Sequence, residues 1–166
     1  MKKIIVLLLC FSFSSCILAL FDWGGEEHYE YASAYEAVSL NRTELDAAIK
    51  FEDNVIMTSA SKIYIFDKYI FINDKRRGFH IYDNSDPENP VKKTFLHVPG
   101  ATDVAIRDDV FFINQATDLI SITPDLETLS LSVNKRIENV FPEIISPDGY
   151  SEYVGSNKVV VYWKEK

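Results

Sequence analysis

Two stretches of this chain repeat each other at a fixed offset of 41 residues. Asp67-Lys68-Tyr69-Ile70-Phe71-Ile72-Asn73 is matched by Asp108-Asp109-Val110-Phe111-Phe112-Ile113-Asn114. Phe79-His80-Ile81 falls on Ile120-Ser121-Ile122, and Ile63 and Ile65 fall on Val104 and Ile106. A period near 40 residues restricts a chain to stacked copies of one supersecondary unit, because one copy cannot bury its apolar face alone. Each copy holds four strand-like runs, at 63–66, 69–73, 78–82 and 91–98 in the first and at 103–107, 110–114, 119–123 and 128–133 in the second. These runs are rich in β-branched and aromatic residues. Several alternate apolar with polar residues, which buries one face of a strand and wets the other. Asp67-Lys68 and Asp108-Asp109 are two-residue hairpin links, and the Asx- and Pro-rich stretch from Asp83 to Pro90 is a longer turn. The pattern predicts an all-β, mainly antiparallel fold of two four-stranded units shaped like propeller blades.

Carrying the offset forward places Val154, Val161 and Trp163 on Ile113, Ile120 and Ile122. Residues 152–154 and 159–163 are therefore expected to form the inner hairpin of a partial third unit. The units lie at about 62–98, 103–138 and 150–166. One short N-terminal helix precedes them at 43–50, with Thr43 as its cap and Asp46 as a weak capping-box partner. Leu45, Ala48 and Ile49 share a face of that helix. Residues 141–149, with two Pro and one Gly, form an irregular crossing. A propeller ring takes about four blades or more. Residues 41–166 thus predict an open, incomplete propeller, or one completed by another chain. The helix and the crossing are placed to cover its edges.

The N-terminus reads as a targeting segment. Met1-Lys2-Lys3 is basic, residues 4–13 are apolar, and Ser14-Ser15 precede Cys16. Phe13-Ser14-Ser15-Cys16 resembles a bacterial lipobox. The resemblance implies a signal peptide at 1–15, cleavage before Cys16 and acylation of its sulfur. Cys10, which follows the large Leu9, fits this less well. An uncleaved anchor helix over residues 4–21 is the alternative, weakened by Ser12, Ser14 and Ser15. The two Cys both lie in this segment, so the mature chain keeps only the acylated one and has no disulfide. Residues 16–40 read as an acidic tether, with Asp22-Trp23-Gly24-Gly25-Glu26-Glu27 a flexible spacer. Residues 30–35 are extended or helical.

Catalytic constellations are not evident. The three histidines, His28, His80 and His97, lack ligand spacing. His80 lies opposite Phe79 and Ile81 on its strand and is expected to be exposed. Asp83, Asn84, Asp86, Glu88 and Asn89 offer oxygens for calcium, but Glu88 and Thr94 stand where an EF-hand needs Gly and Glu. A hydrogen-bonded turn accounts for them. There is no nucleophile elbow, phosphate loop or dinucleotide fingerprint. Asp108-Asp109 sits in a hairpin turn, and Trp23 and Trp163 read as edge or core residues. Lys75-Arg76-Arg77 reads as an exposed turn. A net charge of -8, becoming -10 once Lys2 and Lys3 are removed, argues against nucleic acid. No catalytic, cofactor or metal residue is expected.

The run from Tyr69 through Gly78-Phe79-His80-Ile81-Tyr82-Asp83 and Ser85-Asp86-Pro87-Glu88-Asn89-Pro90 to Pro99-Gly100 resembles the LVIVD-repeat proteins. These are β-propeller-like lipoproteins and surface proteins of bacteria, commonest in the Bacteroidetes. Arg42-Thr43-Glu44-Leu45 and Arg136-Ile137-Glu138-Asn139-Val140-Phe141-Pro142 share in the resemblance. Members are usually much longer. The chain is thus expected to be a lipoprotein of the cell envelope, held to membrane lipid through acylated Cys16. Its expected role is a non-catalytic scaffold or binding module with a protein or glycan partner. The alternative is a carbohydrate-binding or hydrolytic component of a surface uptake system. A shortened relic of a longer propeller is a third reading.

Overall fold

The computed structural model describes residues 32–166, and Ser33–Lys166 forms one compact unit. Cys10, Cys16, Trp23, His28 and the Asp22–Glu27 spacer lie outside the described residues. The described residues are all-β with one short helix. In order they are β1 (Tyr35–Asn41), α1 (Arg42–Ala47), β2 (Lys50–Glu52), β3 (Ala60–Phe66), β4 (Tyr69–Asp74), β5 (Gly78–Asp83) and β6 (Val91–His97). Then follow β7 (Ala101–Arg107), β8 (Val110–Gln115), β9 (Asp118–Asp125), β10 (Ser130–Ile137) and β11 (Lys158–Glu165). They form three antiparallel sheets, ordered β2-β6-β5-β4-β3, β10-β9-β8-β7 and β1-β11, with no closed barrel.

The repeat survives as matching polar detail. Phe66 pairs Tyr69 and Arg107 pairs Val110, so both links are two-residue turns. Asp67, Asp108 and Asp109 sit at positive φ, which aspartate tolerates better than most residues. Both units carry a bulge at the same place, between Ala60 and Ile63 and between Ala101 and Val104. Each bulge is clipped by the Asn of the next strand. Ser61 Oγ donates to Asn73 Oδ1 at 2.6 Å, and Asn114 Nδ2 donates to Thr102 Oγ1 at 2.8 Å.

One loop breaks the symmetry. Asp74 pairs Gly78 across three residues, Lys75, Arg76 and Arg77, whereas Gln115 pairs Asp118 across two. A one-residue slip turns every side chain of a strand to the other face. In the second sheet Phe111 pairs Ile122 and Ile113 pairs Ile120, all four buried. In the first, Phe71 pairs Ile81 and Asn73 pairs Phe79. The first unit therefore presents Tyr69, Phe71, Phe79, Ile81 and Leu96 to the core. The second presents Val104, Phe111, Ile113, Ile120 and Ile122. Phe71 and Phe111 meet edge to face at 5.2 Å. The cost appears on the outside of the first unit, where Ile63 and Ile65 are 64% and 70% exposed.

Three expectations are corrected. The partner of residues 158–165 is β1, not residues 152–154, which form no strand. Ala37, Val38 and Leu40 of β1 bring apolar surface to Val159, Val160 and Val161 in a second cluster, while Gly149 and Gly155 at positive φ keep the intervening chain irregular. The expected tether therefore ends earlier than residue 40, because β1 begins at Tyr35. The helix is capped by Asn41, not Thr43. Asn41 Oδ1 accepts from the Glu44 N–H at 2.9 Å and Glu44 Oε2 accepts from the Asn41 N–H at 3.0 Å. Leu45 is the residue this helix buries.

Candidate functional site

The three-residue loop builds one side of a cleft of about 680 Å³. One wall is Lys75, Arg76 and Arg77 with Thr58 and Ser59; the other is Ile145, Pro147, Tyr162 and Trp163. His97 and Pro99 also line it. The expectation of a simple exposed turn is corrected here, because Arg76 and Arg77 are half-buried and only Lys75 is exposed. The loop is held tightly by its backbone. The Lys75 N–H donates to Ser59 O at 2.9 Å, and the Arg76 N–H donates to Ala101 O at 3.0 Å. The Gly100 N–H donates to Arg76 O at 2.8 Å.

Arg76 has φ of 62°, a region that costs a non-glycine residue strain. Its guanidinium makes no hydrogen bond or ion pair among the described residues, and burial alone pulls its pKa below the usual arginine value. Arg77 differs. Its Nη1 donates to Ile56 O at 3.2 Å, Thr58 Oγ1 at 3.0 Å and Asp74 Oδ2 at 2.8 Å. The guanidinium also lies 5.8 Å from the Phe95 ring centroid. On the opposite wall the Trp163 Nε1–H donates to Ile144 O at 2.8 Å, and Tyr150 meets the indole edge to face at 6.2 Å.

Behind the cleft Asp74 is saturated. It accepts from the Thr58 N–H at 3.1 Å, the Thr58 hydroxyl at 3.0 Å, the Ser59 N–H at 2.7 Å and Arg77. His80 Nε2 lies 3.3 Å from the same carboxylate. The expected exposure of His80 is thus wrong. Asp74 faces its Nε2 and Phe95 lies tilted against the ring at 4.6 Å, and the residue is fully buried. Burial pushes the imidazole below its ordinary 6.5, against the pull of Asp74. His97 is lowered by burial in the same way, against Glu52. For Asp74 burial acts upward, but the bonds from Ser59, Thr58 and His80 outweigh it and hold the carboxyl below its ordinary 3.8.

These directions set a pH dependence. The unfolded chain protonates its histidines below pH 6.5 while the folded chain resists, so stability is full above that pH and falls below it. Asp74 contributes stability that is present above 3.8 and lost as the pH falls through its lower folded value. The melting temperature is expected to drop in two stages, and His80→Gln should shrink the first, leaving the His97 share. A melting temperature unchanged from about pH 7.5 to about pH 5 would rule this out.

A second buried carboxylate lies in the other unit. Asp118 accepts from Arg42 Nη1 at 2.5 Å, Arg136 Nη1 at 2.7 Å and the Asn139 N–H at 3.1 Å. Arg136 Nη2 donates to Gln115 Oε1 at 2.6 Å, and Gln115 Nε2 donates to Leu45 O at 3.0 Å. The two sequence segments led by Arg42 and Arg136 thus meet on one aspartate. Arg42 and Arg136 are locked there and take no part in the cleft.

The remaining marked residues serve structure. Asp83 Oδ1 accepts from the Ser85 N–H and hydroxyl, and Asp86 accepts from the Glu88 N–H and Asn89 Nδ2. Asp108 and Asp109 are exposed in their turn. Trp163, expected as an edge or core residue, packs against the second hydrophobic cluster and also lines the cleft. Among the described residues no three His, Cys, Asp or Glu gather as a metal site. The signal for the cleft was present in the sequence: three adjacent cations beside Gly78 in an acidic chain. What hid it was the opposing wall, which comes from residues about 70 to 90 positions later. Comparison with known protein families, curated proteins and solved structures finds nothing that matches this chain.

Proposed function

We propose that this chain is a non-catalytic, membrane-anchored β-repeat binding module of the bacterial cell envelope. The observation that carries the reading is the cleft, a concavity lined by hydrogen-bond donors together with Tyr162 and Trp163. The carboxylate behind the loop, Asp74, is saturated by structural bonds, and His80 faces it from a fully buried position. Neither is free to act as a general acid or base on a ligand. A volume of about 680 Å³ suits a small molecule.

Anchoring is proposed through acylated Cys16, on the lipobox-like Phe13-Ser14-Ser15-Cys16. No helix among the described residues is long and apolar enough to cross a membrane. A place among the LVIVD-repeat proteins is part of the proposal, and the meeting of Arg42 and Arg136 on Asp118 gives its two arginine segments a shared structural task. The anchor has a direct test. The native chain is expected in the membrane fraction and Cys16→Ser in the soluble fraction after the signal is processed. Equal partition of the two would remove the lipid anchor. The reading of a carbohydrate-binding or hydrolytic component is favoured by Tyr162 and Trp163 in the cleft. Turnover of any glycoside in a hydrolase panel would favour it over a non-catalytic module.

A further inference from the structure

We infer that the cleft binds a small oxyanion, a carboxylate or a phosphate, carried on a ring-shaped body. The inference rests on the reading of the chain as a binding module. Three features of the site converge on it. The Arg76 guanidinium is half-buried and has no partner among the described residues. Taking a guanidinium partly out of water costs free energy that nothing in the described protein returns. An oxyanion returns it, and the planar fork of arginine fits carboxylate and phosphate in pairs of bonds.

Arg77 adds to the offer. All its side-chain hydrogen bonds run through Nη1, so Nε and Nη2 are unbonded among the described residues. The exposed Lys75 ammonium makes no ion pair there either. Donors thus crowd one wall, while the carboxylate behind it is spent on Arg77 and the Thr58–Ser59 backbone. Tyr162 and Trp163 also line the cleft, and because neighbours on a strand point to opposite faces, one of the two rings is placed to cover an apolar ring face of the ligand. Only a small ligand is compatible with the rest of the molecule, since a net charge of -8 repels an extended polyanion.

The backbone also supplies a clean variant, because glycine would occupy φ of 62° without penalty. Arg76→Gly removes the cation and relaxes the turn.

The test is tryptophan fluorescence on the full chain in mild detergent, because Trp163 lines the cleft. The ligands are glucuronate, glucose 6-phosphate, glucose and inorganic phosphate. Saturable quenching is expected with glucuronate or glucose 6-phosphate, and the tighter of these identifies the oxyanion. Glucose should be at least about tenfold weaker, as loss of a charge-assisted bidentate contact implies. Arg76→Gly and Arg76→Gln should each weaken binding about tenfold, and Arg76→Gly should melt no lower than the native chain. Affinity should fall with added salt. Binding unchanged in both Arg76 variants, or no binding of either ring-bearing anion, overturns the site but leaves a non-catalytic module standing. Inorganic phosphate binding as tightly as glucose 6-phosphate overturns the ring requirement. Chemical turnover of an added sugar would instead remove the module reading on which the inference rests.

Discussion

Asp118→Ala is expected to destabilise the fold by about 3 kcal/mol, because truncating one member of a buried charge cluster strands the others. Asp118 is fully buried, and the side chains of Arg42 and Arg136 are only 19% and 13% exposed. Without the carboxylate both guanidinium groups lose their shared acceptor, and the Asn139 N–H loses its partner. Part of each arginine still reaches water, which keeps the expected loss near the low end of the range for buried pairs. Burial acts upward on the Asp118 pKa, but Arg42, the Asn139 N–H and Arg136 outweigh it and hold the carboxyl below 3.8. Its stabilisation is therefore present above that pH and lost as the pH falls through the lower folded value. Urea unfolding at neutral pH measures the loss. A double-mutant cycle with Arg136→Ala should be non-additive, since both changes break the same network. Additive losses would show that the two side chains do not act together.

Gly78→Ala is expected to be worse, with a loss of about 4 kcal/mol or more. Gly78 opens β5 at φ of 141°, and a Cβ there would lie 2.0 Å from Leu96 O and 2.9 Å from Val98 N. Both are backbone atoms, so no side-chain rotation relieves the clash. Gly78 also pairs Asp74 on one side and His97 on the other, and so sets the position of the loop that carries Arg76. The variant should lose near-ultraviolet signal and expression together, and whatever folds should no longer hold the cleft. A Gly78→Ala chain with a native melting temperature would show that this packing is less tight than described. Gly155 offers the control. It too has positive φ, at 90°, but nothing within 4 Å, so alanine there should cost about 1 kcal/mol of backbone strain.

Much of the β architecture was legible because its determinants are local. The strand runs and two-residue links of both units came from alternation and Asp-rich turns. The Asx bonds of Asp83 and Asp86 followed from residue type alone. Other features were not local. His80 was read as exposed because its neighbours Phe79 and Ile81 point the other way. It lies against Asp74 and Phe95, contacts that strand alternation around residue 80 does not register. Extending the period places a partner for β11 next to it, whereas its partner is β1, more than 100 residues away. Arg42 and Arg136 lie 94 residues apart, and only the fold brings them to a common acceptor, Asp118.

By itself the sequence determined that two similar β meanders are built, where their strands run and which turns join them. These are properties of residue type and spacing, and they hold before any strand meets another sheet. The tertiary structure decided the faces. One extra residue between Asp74 and Gly78, relative to Gln115 and Asp118, turns Phe71 inward where its repeat mate Phe112 points out. The same three-residue loop carries Arg76 into a cleft whose other wall is Tyr162 and Trp163. Strand periodicity constrains a side chain only to one of two faces. Which face is buried depends on the pairing register and on what packs against it, and both are settled by contacts between residues far apart in the chain.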